Sequence, residues 1–137
     1  MRLIITGKDD IPIPRHDDIH FKGFVSEEEK FRLMSGAMLF VNPSPNESFS
    51  IVTLEAMAQN TAVLVNNAST VLANHVKDSG AGRVYSDYET FAHALTELST
   101  NESLLTTMAQ RGRDYVLSRY QPEIVRKSLI AAVESVP

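Results

Sequence analysis

A chain of 137 residues with a formal net charge of −4 and an isoelectric point near 5.5 is long enough for one domain with a buried core and too short for two. Its 13 lysines and arginines are scattered, which argues against the clustered cationic face that a nucleic acid demands, and the absence of cysteine excludes disulfides and thiolate metal sites. No apolar run approaches the ~20 residues of a transmembrane helix, and the one that follows Arg2 is too short for the apolar region of a signal peptide, so a single soluble, cytoplasmic domain over residues 1–137 is expected, with peripheral membrane association of the parent left open.

In chain order, Leu3, Ile4, Ile5 and Thr6 before Gly7 read as a buried strand ending in a turn, and residues 8–18, with two prolines and four aspartates after Lys8, are too broken for a helix. Ile19, His20 and Phe21 make a short second strand. Ser26 followed by Glu27, Glu28 and Glu29 is a capping box that opens a helix running to about Met34. Ala37 to Val41 and Ala62 to Val65 are apolar strands, and the residues between them hold a helix from Ser50 to Gln59 with Ile51, Leu54 and Ala58 on one face. Asn60 takes the left-handed position that ends this helix.

Beyond Asn66, residues 71–77 have weak helical character, and Gly80 and Gly82 precede a short strand at Arg83, Val84 and Tyr85. Three amphipathic helices then close the chain on the stripes Phe91, Leu95, Leu98; Leu105, Met108, Gly112, Tyr115; and Val125, Leu129, Ala132, Val133. Asn101 or Ser103 suits the start of the second, and Pro122 the first turn of the third.

The strand, loop, helix, strand unit around residues 37–65 carries the chemistry. Two parallel strands joined by a crossover helix put the intervening loop at the carboxyl edge of the sheet, where open α/β sheets bind ligands. Glu47 lies in that loop and Glu55 on the helix, with seven residues between them. The helix start presents unpaired amides and the positive end of its dipole, a site suited to a diphosphate, while carboxylates accept hydrogen bonds from sugar hydroxyl pairs. Glu47 and Glu55 are thus placed to grip opposite ends of a ligand whose phosphates rest on the amides between them.

The run from Asn42 and Pro43 through Glu47, Ser48, Phe49, Ser50 to Glu55, Ala56, Met57 and Ala58 resembles the signature of the family 4 retaining glycosyltransferases. The likeness extends from Leu3 and Gly7 through Phe21, Gly23, Phe24, Val25 and Ser26 to Gly112, Arg113 and Tyr120. It implies an α/β, Rossmann-like three-layer domain with a mostly parallel sheet, the C-terminal half of the two-domain GT-B architecture. It also implies a nucleoside-diphosphate sugar donor, no bound metal and no other cofactor. Glu47 would then contact sugar hydroxyls near the reacting carbon without acting as nucleophile. Ser48, Phe49, Ser50, Ile51 and Val52 would line the donor, with the amides of 49–52 on sugar and phosphates, Glu55 would hold the ribose, and Gly23 and Phe24 would lie near the base.

Some positions depart from the resembled pattern. Ser50 stands where the family usually has glycine, Asn60 and Ala62 replace a glycine and a proline, and residues 67–72 lack a glycine-rich turn ending in glutamate. The family's phosphate-binding arginine and lysine and its N-terminal acceptor domain lie ahead of Met1, so the isolated chain is expected to be inactive. Lys22 and Arg83 are alternative cations, though solvated surface positions suit both better. His16 and His20 share no helical face for a metal, and His75 and His93 read as surface or capping residues. A second copy over the last helix would make a homo-oligomer, and exposed apolar surface is expected from Tyr120 to Val133. A non-catalytic nucleotide- or partner-binding module, a sugar-nucleotide epimerase and a phosphorylase of similar fold are the alternatives, with a glycoside hydrolase last.

Overall fold

The computed structural model describes residues 1–135, and the chain divides into two compact units, Met1–Leu33 and the remainder from Met34. In the first unit, β1 (Leu3–Ile5) pairs in parallel with β2 (Ile19–Phe21), Leu3 opposite Ile19 and Ile5 opposite Phe21. Leu3, Ile4 and Phe21 are exposed rather than buried, because a two-stranded sheet of such short strands has no second layer of its own.

Helix α1 (Glu27–Gly36) starts where Ser26 predicts it, with the Glu29 amide donating to Ser26 Oγ at 3.2 Å. The reciprocal half of the capping box does not form. Glu29 instead accepts from Lys22 Nζ at 3.0 Å and from Arg32, and these cations hold its carboxyl below the ordinary glutamate value, Lys22 contributing most. The helix runs two residues beyond the expected Met34, to Gly36.

The second unit is built on a three-stranded parallel sheet in the order β3 (Leu39–Asn42), β4 (Ala62–Asn66), β5 (Gly82–Tyr85). Ala62, Val63, Leu64 and Val65 are all buried, as an unbroken apolar run in a central parallel strand must be. A β-carbon on Gly82 would lie 1.7 Å from the Val63 carbonyl oxygen, so glycine permits β5 to start this close to β4.

Helix α2 (Ile51–Ala58) crosses from β3 to β4 and packs on both strands. It buries Thr53, Leu54, Ala56 and Met57, whereas Ile51, expected on the apolar stripe, is 65% exposed. Ile51 occupies the first turn, at the loop edge of the sheet, where no neighbour covers that stripe. Asn60 has φ 62°, the left-handed helix stop that the sequence predicts. Residues 71–77 belong to a full helix, α3 (Thr70–Ser79), capped by Ser69 Oγ on the Leu72 amide and closed by Gly80 at φ 65°.

Helices α4 (Tyr88–Thr100), α5 (Glu102–Arg119) and α6 (Pro122–Glu134) follow, and a single residue, Asn101, ends α4 and caps α5. Leu98 of α4 and Met108 of α5 close on Ala62, with Leu39, Leu104 and Leu105 packed around them. Gly112 lets α5 approach α2 and β5: a β-carbon there would stand 2.9 Å from Ala81 Cβ and 3.2 Å from Met57 Cγ. Pro122 is at the first turn of α6, which buries no residue, and Val125, Leu129, Ile130 and Val133 are exposed, as the sequence predicts for the chain by itself. Parallel strands linked by helices make the mixed α/β fold that the sequence implies. Among the described residues no helix is long and apolar enough to cross a membrane.

Candidate functional site

The carboxyl ends of β3 and β4 feed two loops that are tied to each other. Asn66, the last residue of β4, donates from Nδ2 to the Pro43 carbonyl at 3.0 Å and accepts at Oδ1 from the Ala68 amide at 2.9 Å. Between residues 45–48 of one loop and residues 68–71, at the start of α3, lies an open cleft of about 380 Å³. Glu47 and Ser48 line one side, Ser69 and Thr70 the other, so the amino end of α3 meets the Glu47 loop across the opening.

Asn42, the last residue of β3, organises the loop from beneath. It is buried, and its Oδ1 accepts from the Ser44 amide at 3.0 Å, which orients the Nδ2 group. That group lies 3.3 Å from Glu47 Oε1, 3.2 Å from Ser50 Oγ and 3.1 Å from Thr53 Oγ1, sharing two protons among three acceptors. Ser50 Oγ and Thr53 Oγ1 are themselves 2.9 Å apart. A buried polar group must find partners, and here the partners are the carboxylate and the helix start that the sequence marks as the site.

Ser50 sits at φ 60°, ψ 60°, the left-handed region that its usual glycine would reach without a Cβ penalty. Its side chain is turned inward to Asn42 and Thr53, so the hydroxyl is enclosed. The Ser50 carbonyl accepts from the Thr53 and Leu54 amides at 3.1 and 3.3 Å, which leaves the Ile51 and Val52 amides as first-turn donors with no acceptor among the described residues.

Below the loop, Phe49, half-exposed, meets His75 and Tyr120 edge to face, with ring centroids 5.8 and 5.7 Å apart. His75 is buried at 7% exposure, which corrects its reading as a surface or capping residue. Its Nε2 is 2.9 Å from the Phe49 carbonyl oxygen and its Nδ1 is 3.2 Å from the Tyr115 hydroxyl. Burial, and next the Tyr120 hydroxyl, push the Tyr115 phenol up to about 12, so it stays protonated at neutral pH. The signal for His75 was present in the sequence: Leu72, His75 and Val76 stand at helical spacing, and all three are buried on one face of α3.

Of the sequence-predicted site residues, Glu47 and Ser48 line the cleft, and Phe49, Ser50, Ile51 and Val52 continue from it into α2. Glu55 follows one turn along, half-buried, and is not among the cleft's lining. Gly23, at φ 65°, and the exposed Phe24 belong to the first unit. Arg83 is committed to Glu97 through Nε at 2.9 Å and Nη2 at 2.8 Å, and Lys22 to Glu29, so both reach carboxylates rather than solvent alone. Arg113 donates to the Ala58 carbonyl at 2.7 Å, satisfying the carboxyl end of α2. No lysine or arginine lines the cleft, and among the described residues no group of three His, Asp or Glu side chains is gathered for a metal.

The sequence model of the family described as glycosyl transferases group 1 matches residues 15–115. Among solved structures the chain is similar to sucrose-phosphate synthase (tll1590) from Thermosynechococcus elongatus, at 26% identity and TM-score 0.72 over 85% of this chain and 31% of that one. It is similar to the C-terminal domain of a group 1 family glycosyl transferase (LpcC) from Francisella tularensis, at 26% identity and TM-score 0.64 over 77% of this chain and 55% of that one. It shares the fold of Anabaena Alr3699/HepE, solved in complex with UDP and glucose, at 20% identity and TM-score 0.72 over 88% of this chain and 33% of that one. The chain therefore spans about a third of the length of the synthase and of HepE. No match was found among curated proteins.

Proposed function

Because the chain belongs to the group 1 glycosyl transferases, we propose that it is the donor-binding, C-terminal domain of a retaining glycosyltransferase that takes its sugar from a nucleoside diphosphate. The observation that carries the reading is the cleft at the carboxyl ends of β3 and β4, where Glu47 stands across from the amino end of α3 and directly ahead of α2. Two helix starts and the free amides of Ile51 and Val52 suit an anion, and a half-buried carboxylate held by Asn42 suits sugar hydroxyls.

In this reading Glu47 accepts from hydroxyls near the reacting carbon, Ser48 and the amides of residues 49–52 meet sugar and diphosphate, and Glu55 takes the ribose. The departing diphosphate is the group whose charge must be stabilised, so preorganised amides matter more than a nucleophile. Nothing in the proposal requires a resident metal. A helix terminus supplies only about 0.3–1 kcal/mol at an exposed site, and no cation lines the cleft. The phosphate-binding cations and the acceptor site are accordingly assigned to a domain preceding this chain in a longer, cytoplasmic protein, and the isolated chain to the inactive state. Cover for the exposed face of α6, by that domain or by a second copy, belongs to the same proposal.

The test joins this chain to the preceding half and titrates UDP-, GDP- and ADP-sugars calorimetrically while following transfer. Binding of one donor and transfer with retained anomeric configuration are expected, with Glu47→Gln lowering turnover by at least ~100-fold, the scale of one lost transition-state contact. A folded joined protein that binds none of these donors overturns the reading.

A further inference from the structure

We propose that His75 is a positioning residue that holds the Phe49–Ser50 peptide, and through it the Glu47 loop and the start of α2, in ligand-ready geometry. A carbonyl oxygen only accepts, so the 2.9 Å contact requires a proton on Nε2, and Nδ1 in the neutral ring then accepts from the Tyr115 hydroxyl at 3.2 Å. The Tyr120 hydroxyl, 3.4 Å from that of Tyr115, extends the chain to the end of α5. His75 is therefore oriented from both sides, by its partners in the hydrogen bonds and by the edges of Phe49, Tyr115 and Tyr120 around its ring.

The bond falls where the backbone needs it. Ser50 is a non-glycine residue in the left-handed region, a conformation that persists only when its surroundings over-determine it. Asn42 and Thr53 fix its side chain, and His75 fixes the carbonyl of the residue before it. In a trans peptide the carbonyl and the following amide point in opposite directions, so drawing the Phe49 oxygen onto His75 turns the Ser50 amide away from α3's imidazole. The Ser50 carbonyl, next along, anchors the first turn of α2 through the Thr53 and Leu54 amides. A single imidazole on α3 thus sets the direction of successive peptide groups between Glu47 and α2.

The functional consequence rests on the donor-site reading, but the positioning is measurable without any ligand, which separates failure of one from failure of the other. Long-range imidazole nitrogen–proton spectra of the wild-type chain are expected to show the His75 proton on Nε2. A neutral Nδ1–H tautomer overturns the proposal, whatever the variants do. Hydrogen exchange at the Thr53 and Leu54 amides, which report the Ser50 turn, is the second arm. His75→Asn, too short to reach Phe49, should speed both by at least ~10-fold with the Val63 and Leu64 amides of β4 unchanged, while His75→Gln, whose side-chain amide reaches the same carbonyl, should restore them to within ~3-fold. Unchanged Thr53 and Leu54 exchange in His75→Asn, or no rescue by His75→Gln, overturns it.

Discussion

Ser50 at φ 60° costs roughly 1–2 kcal/mol relative to glycine, and its hydroxyl recovers part of this through Asn42 and Thr53, at about 0.5–1.5 kcal/mol per hydrogen bond. The two substitutions of Ser50 therefore separate. Ser50→Gly removes the strain with the bonds and should change unfolding free energy by less than ~1 kcal/mol, whereas Ser50→Ala keeps the strain, loses the bonds and should cost about 1–2 kcal/mol in urea denaturation. Equal stability of the two variants would contradict the balance of strain against bonding. That Ser50 differs from the resembled glycine is legible in the sequence. That its hydroxyl turns inward, and so leaves the loop surface to backbone, depends on Asn42 and Thr53 arriving beneath it from a strand and a helix.

Helix α5 is the element that brings the others together, and Gly112 sets how closely. Gly112→Ala places a methyl 2.9 Å from Ala81 Cβ and 3.2 Å from Met57 Cγ, and the overpacking should cost about 1–3 kcal/mol with the secondary structure retained by circular dichroism. The stripe Leu105, Met108, Gly112, Tyr115 was readable from its period, and the structure places Met108, Gly112 and Tyr115 in the buried face of α5. The stripe on α2 misled at Ile51, because periodicity finds a face and only the neighbours decide how much of its length is covered.

Between β5 and α4, the Arg83–Glu97 pair adds a pH dependence. The Arg83 guanidinium holds the Glu97 carboxyl below its ordinary value of 4.5, so the pair's contribution is present above that pH and lost as pH falls through the depressed value. Glu97→Gln should lose less stability on acidification than the wild type over that window, as read from urea midpoints taken at each pH. An identical acid profile would show the pair to be energetically silent, as many half-exposed pairs are.

At the scale of the whole molecule, every buried apolar residue of the described chain lies at or beyond Met34. A chain lacking residues 1–33 should therefore retain one cooperative urea transition and the far-ultraviolet signal of its helices, and a non-cooperative profile would place part of the core in the removed segment. Helix α6, which buries nothing, should exchange its amides well before α5 does. Local chemistry by itself determined the parallel strands around the Glu47 loop, the stops and starts at Asn60, Asn101 and Pro122, and the family signature, because strand runs, caps and a ligand loop are written in contiguous residues. Tertiary structure alone decided that Leu3 and Ile4 lie exposed and that His75 is drawn under Phe49. Each of those depends on which distant segment arrives alongside, and His75 meets Phe49 and Tyr115 only because α3, α5 and the loop after β3 converge, a juxtaposition that no local pattern encodes.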